Sequence, residues 1–298
     1  MKEIVIHSWD ELQHVMFDGV WDEKIKRYRD NRVYRGASDK EWGLVPTLNR
    51  VCAHDLSLEA SVIRSFRKYG YADLVDYDSV WQILPLAQHH GLPTRLLDWS
   101  YSPLVAAHFA TEDIEMYDRD GAIWCVDVNQ SNKYLPHRLK TLLEQRRSHI
   151  FSVEMLMKEI PELHRMSDIS DNPYVLFFEP ASMLDRIVNQ YALFSVTSDP
   201  KVGISDLPAG GECCVKYIIP REVKLEIRDK LDYVNISERM IYPGLDGICR
   251  WITRQYSELG PKSPSPGGRA RLNFRKVCSI IRLEKHAVNA GIRGMKAP

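Results

Sequence analysis

Arg35, His89, His90, Arg95, Asp98 and Ser100 are the side chains best suited to chemistry in this sequence, and all but Arg35 fall in one short stretch. Arg35 is followed by Gly36. A guanidinium beside a backbone without a side chain suits a phosphate or carboxylate, bound through paired N–H groups. The alternative, which the residue types alone favour, is an Arg35 that pairs with Asp98 or another acid to hold the fold. His89 and His90 are adjacent, and neighbours on a helix point about 100° apart, so they do not share one metal. No His-x-x-x-His spacing or nearby Cys completes a site, so no metal is expected. One of the two could act as a base or hold a ligand while the other packs; His90 with Asp98 is the pair a hydrolase would need. The sequence has no Gly-rich phosphate loop, nucleophile elbow or His-Glu-x-x-His helix. Dehydrogenase, NTPase, serine hydrolase and metalloprotease chemistry are therefore unsupported.

Several elements must position these groups. Val80 to His89 reads as an apolar helix, broken at Gly91 and Pro93. Thr94 to Leu97 is a short strand candidate, and Ser102 with Pro103 starts a helix through Ala110. Arg35 ends a strand over Val33 to Gly36. Earlier, residues 3 to 9 alternate as a strand, and Asp10 to Tyr28 reads as a helix that Gly19 kinks or divides. Ser57 to Tyr69 is helical, and Lys133 to Met157 is charged and helix-prone. Gly121 to Val128, Tyr174 to Glu179, Ala192 to Thr197 and Cys213 to Ile219 are strands; Met183 to Gln190 is a short helix or turn. Arg221 to Leu231 is amphipathic, and Ile248 to Tyr256 is a last helix.

Charge is balanced, 40 basic against 40 acidic residues, so no global field draws the chain to nucleic acid or membrane. No apolar run approaches the ~20 residues of a membrane-crossing helix. The N-terminus lacks the apolar core of a signal peptide, so a cytoplasmic location is expected. The six cysteines form no Cys-x-x-Cys pair and read as reduced, mostly buried thiols. Residues 1–259 form the folded body, 260–268 a Pro/Gly/Ser linker and 269–298 a basic tail. That tail could touch nucleic acid or an acidic partner, or be solvated.

The stretches Tyr34-Arg-Gly36, "LAQHHGLPTRLLDWS", "SPLVAAHFA", "RIVNQYALFSV" from Arg186 and "YPGLDGI" from Tyr242 resemble the FRG domain. The resemblance runs from about residue 33 to about 251. It implies an α+β fold, with mixed central sheets, flanking helices and an ADP-ribosyltransferase-like core. In that family-level mapping NAD is the substrate, its ADP-ribose passing to a macromolecule, with nucleic acid as one candidate. Toxin and phage-defence systems are the expected setting. Arg35, with Gly36, would hold the NAD phosphates or ribose, and Ser100 would sit near the nicotinamide ribose. His89, His90, Arg95 and Asp98 would line the site, and Trp99 and Tyr101 would stack on nicotinamide. The third position falls to Gln190, before the strand Ala192 to Thr197, or to Glu238, before a strand-like piece. The competing reading is a non-catalytic module that binds a nucleotide, nucleic acid or protein.

Overall fold

A computed structural model describes residues 1–52, 55–181 and 185–257. The linker and basic tail expected at 260–298 lie outside these. Ten strands occur among the described residues: β1 (Lys2–Val5), β2 (Trp21–Asp22), β3 (Arg27–Tyr28), β4 (Arg32–Ala37), β5 (Leu97–Ser100), β6 (Gly121–Asp127), β7 (Phe151–Ser152), β8 (Val175–Glu179), β9 (Ala192–Thr197) and β10 (Cys214–Ile219). Strands β2 and β3 form a separate hairpin; the others make one sheet in the order β1-β10-β6-β4-β5-β9-β8-β7. The fold is thus α+β, a mixed sheet flanked by helices.

The sheet is weakest at its middle. β4 is joined to β6 from Arg32↔Asp127 through Ala37↔Ala122, but to β5 only by Tyr34↔Ser100. The two strands splay there, dividing the sheet at a seam. Alternation along the strands shows how the halves pack. Val33, Trp124 and Val126 of one half share an inner core with Leu97, Trp99, Phe177 and Leu193 of the other. The alternate residues of β4, β6 and β10 (Tyr34, Ile123, Cys125, Tyr217) meet the helices Trp9–Phe17, Pro103–Thr111 and Arg221–Tyr233. Those of β8 and β9 (Leu176, Phe178, Phe194, Val196) meet Val80–His89, His137–Arg146 and Val153–Glu159.

The ends of these elements follow local chemistry. Ser79 and Gln82 cap Val80–His89 reciprocally, each side chain binding the other's backbone N–H region. Ser102 caps Pro103–Thr111, with Pro103 at the first helical position.

Three expected elements differ. The helix expected over Asp10 to Tyr28 stops at Phe17, because Gly19 turns at φ +70° and the Trp21 and Tyr28 rings pack 5.0 Å apart to close the β2–β3 hairpin. The strand expected at Thr94 to Leu97 begins at Leu97 instead, since Thr94 Oγ1 accepts from the Leu96 N–H and holds that stretch in a turn. The helix expected over Lys133 to Met157 is interrupted at Arg147, in the left-handed conformation at φ 51°, and then by β7.

Candidate functional site

Arg35 leaves β4 at the seam and crosses it. Its Nη1 donates to the Asp98 main-chain carbonyl at 2.7 Å and lies 2.8 Å from Asp98 Oδ2. The guanidinium thereby replaces the strand–strand hydrogen bonds that β4 and β5 lack. Asp98 is surrounded by protein, yet its side chain keeps 47% of its surface open to solvent. Burial works against its charge, but the Arg35 guanidinium outweighs it and holds the carboxyl below the usual carboxylate range. Gln88 Nε2 donates to Asp98 Oδ1 at 3.0 Å, and Thr94 Oγ1 donates to Gln88 Oε1.

Ser100 and Gln190 lie on the same seam. Ser100 Oγ donates to the Gln190 carbonyl at 2.7 Å and accepts from the Ser102 N–H at 2.9 Å. Gln190 Nε2 donates to the Ile241 carbonyl at 3.1 Å. Arg35, Asp98, Ser100 and Gln190 line one cavity of about 10 Å³, room for a single water at most. A ligand of dinucleotide size must lie across the mouth of this seam, not inside it.

Three further groups lie near this seam. Tyr242, half-buried, donates its hydroxyl to Glu112 at 2.7 Å. The Arg186 and Arg250 guanidinia stand 4.8 and 4.6 Å from its ring centroid. Neither arginine pairs with a carboxylate among the described residues. Arg186 is close enough to act on both the Asp98 and His89 charges. Burial, then Arg186 and His90, lowers the His89 pKa, so that ring is neutral at neutral pH. His90 ends its helix exposed, its ring edge-on to His89 at 5.0 Å.

Several expected roles are corrected by this geometry. Gly36 does not open the backbone to a phosphate: a Cβ there would stand 2.6 Å from Ala110 N and 2.8 Å from Phe109 Cβ, so the helix Pro103–Thr111 covers it. Trp99 shares the inner face with Leu97, is 3% exposed, and donates Nε1 to Ser195 Oγ at 2.8 Å, so its ring is committed to the core. Tyr101 donates its hydroxyl to Glu179 at 2.7 Å. Arg95 precedes β5 and turns away from the seam to a buried pair with Glu59. Glu238 begins a helix, Glu238–Ile241, not a strand. Its carboxylate is 4% exposed and clamped by Arg254 Nε at 2.5 Å and Nη2 at 2.9 Å. No hydrogen bond joins His90 to Asp98 among the described residues; the partners of Asp98 are Arg35 and Gln88. No group of His, Cys, Asp and Glu that could hold a metal occurs among the described residues.

Arg186, Tyr242 and Arg250 are the residues that sequence reasoning missed. Arg186 and Tyr242 open two of the stretches that carry the resemblance, so the signal was present; Arg250 follows the second by two residues. What folds Tyr242 into place is Gly247, where a Cβ would strike the Glu238 and Tyr242 carbonyls. Only glycine lets the helix Leu245–Gln255 sit against Glu238–Ile241 this closely.

The FRG domain family matches residues 30–119, so the chain carries an FRG domain. No curated protein and no solved structure matches the chain. The match takes in Arg35, Asp98 and Ser100, and stops before Arg186, Gln190, Tyr242 and Arg250. No helix among the described residues is long and apolar enough to cross a membrane.

Proposed function

We propose that the mouth of the seam binds the phosphates of a nucleotide, with NAD as the ligand, in an ADP-ribosyltransferase-like arrangement. One observation carries this reading. Arg186 and Arg250 both stand within 5 Å of the Tyr242 ring centroid without ion-pairing to a carboxylate among the described residues, and Arg186 acts on Asp98. Two guanidiniums near one aromatic ring repel each other, and an anion bound near both relieves that repulsion. The neutral His89 ring and the exposed His90 flank the same mouth, where the nucleoside part would rest.

Transfer of ADP-ribose to a macromolecule, as in toxin or phage-defence systems, is the catalytic form of this reading. Arg35 and Ser100 lie on the neighbouring strands β4 and β5, and Gln190 lies in the turn before β9 with its carbonyl bound by Ser100, which supports that mapping. With Glu238 bound to Arg254, the third position rests on Gln190, an amide that can orient a ribose hydroxyl but carries no charge for an oxocarbenium ion. Binding without turnover, by a non-catalytic module, is the form that the amide favours. A nucleic-acid acceptor held by the basic tail belongs to the transfer form.

Calorimetry with NAD and with ADP tests the binding step. Each charge-assisted hydrogen bond is worth ~1.5–3 kcal/mol, so Arg186→Ala and Arg250→Ala should each weaken binding by roughly 10–150-fold. Failure of the wild type to bind either nucleotide, or equal affinity in both variants, overturns the reading. Nicotinamide release that needs a macromolecular acceptor and stops in Gln190→Ala establishes the transferase; binding with no release leaves the non-catalytic module.

A further inference from the structure

A cavity of about 910 Å³ lies away from the seam, against the helix Glu59–Tyr69. That is a volume typical of small-molecule sites. Arg95 and Glu59 both line it, 7% and 6% exposed. Arg95 Nε reaches the two Glu59 carboxylate oxygens at 2.7 and 2.8 Å, and Nη2 completes the fork. Nη1 makes no hydrogen bond among the described residues. Arg95 lines the cavity, so a guanidinium more than nine-tenths buried borders that space with a nitrogen that has no hydrogen-bond partner among the described residues. Such a nitrogen calls for an acceptor.

The surroundings select the acceptor's charge. Glu59 already neutralises Arg95, and its carboxylate would face any incoming anion at close range. Apart from that pair, three Lys and Arg side chains and four carboxylates line the cavity, so no surplus of positive charge draws an anion in. They also select the ligand's body. Leu56, Ala60 and Ile63 form one aliphatic wall, and Leu163 and Pro173 another. No Phe, Tyr or Trp lines the space, so it offers no large aromatic platform for a nucleobase.

We propose that this cavity is a ligand site for a neutral aliphatic acyl compound, an amide or ester. Its carbonyl oxygen accepts from Arg95 Nη1 and its hydrocarbon chain lies along Ile63 and Leu163. The site is separate from the seam, and the proposal stands whether or not the seam binds a nucleotide.

Octanamide, methyl octanoate and octanoate, titrated into the full chain by calorimetry, test it. Octanamide and methyl octanoate bind, and octanoate binds at least tenfold more weakly, because its charge meets Glu59. Ile63→Trp obstructs the wall along which the hydrocarbon chain lies and weakens octanamide binding at least tenfold while the melting temperature is kept. Arg95→Met alone would strand a buried carboxylate and could unfold the chain. The double variant Arg95→Met/Glu59→Leu removes both charges together and keeps the fold while octanamide affinity falls at least tenfold. No binding of octanamide to the wild type, octanoate binding as tightly as octanamide, or undiminished affinity in either variant overturns the proposal.

Discussion

Gly36→Ala should unsettle this fold more than any other single methyl group added in the signature. The strand β4 and the helix Pro103–Thr111 meet backbone to backbone at this position. The new Cβ would stand 2.6 Å from Ala110 N and 2.8 Å from Phe109 Cβ, and closer still to the Ala106 carbonyl. None of the backbone atoms can rotate away, so the helix must shift as a body. Val105, Ala106, Ala107 and Ala110 on that helix are all fully buried, which leaves it nowhere to go without opening the core. Overpacking a core costs about 1–3 kcal/mol, and a clash with backbone belongs at the upper end, ~3 kcal/mol. For a domain of this size that lowers the melting temperature by roughly 6–12 °C. The control is Gly211→Ala, where a Cβ meets nothing within 4 Å inside the helix Pro208–Glu212. It should leave stability unchanged or raise it by about 0.5–1 kcal/mol. Thermal and urea unfolding of the two variants beside the wild type provide the measurement. A folded Gly36→Ala protein melting within about 2 °C of wild type would refute the close-packing argument and return Gly36 to a ligand role.

Three more outcomes follow from buried charges. Glu238→Ala leaves the Arg254 guanidinium with Asp232 as its one carboxylate partner among the described residues and should cost about 1.5–3 kcal/mol in urea unfolding, so any activity it loses should track its loss of fold; an unchanged unfolding midpoint would count against this. His108, fully buried, has its pKa lowered from 6.5, first by burial and also by Arg228, with Glu112 opposing. The unfolded chain then binds the extra proton, so stability should fall as pH drops below about 6.5, a component that His108→Gln should lack; parallel stability profiles would sink the assignment. Lys224, buried and donating to the Ser38 and Met116 carbonyls at 2.6 and 2.8 Å, has its pKa pushed down to about 8 by burial. Wild-type stability should therefore rise between pH 8 and its ordinary 10.5, and Lys224→Met should abolish that rise and cost ~2 kcal/mol at pH 7 through two orphaned carbonyls; a variant as stable as wild type at pH 7 would contradict it.

Strong local patterns were readable in the sequence where chemistry and periodicity agree. Val80–His89 has both a capping pair and an apolar face, and Ala192–Thr197 is a short apolar run closed by polar residues; both elements lie where the pattern puts them. The Arg35–Asp98 pair was legible from residue types alone. β5 was not, because Thr94 and Arg95 look strand-like until Thr94 binds backbone and Arg95 finds Glu59, 36 residues away in the chain. Trp99 was legible by parity, which puts it on the face of Leu97, in the core and not beside a ligand. Arg186 and Arg250 could not be paired from sequence, since only the fold brings both to the Tyr242 ring.

The signature residues and the spare donors answer different questions about this protein. Arg35, Gly36, Gln88, Thr94, Asp98 and Ser100 all lie in the matched stretch; Arg35 and Asp98 tie the two halves across the seam, and the others tie elements together on either side of it. Substituting them perturbs the strand pairing that makes the site, so loss of activity there cannot separate binding from folding. Arg186 and Arg250 contribute guanidiniums that hold no carboxylate among the described residues, and they lie beyond residue 119. Their removal relieves a repulsion and leaves the seam intact, so nucleotide affinity should fall while the melting temperature holds or rises. That opposite movement of affinity and stability is what distinguishes a binding residue from a fold-holding one in this chain.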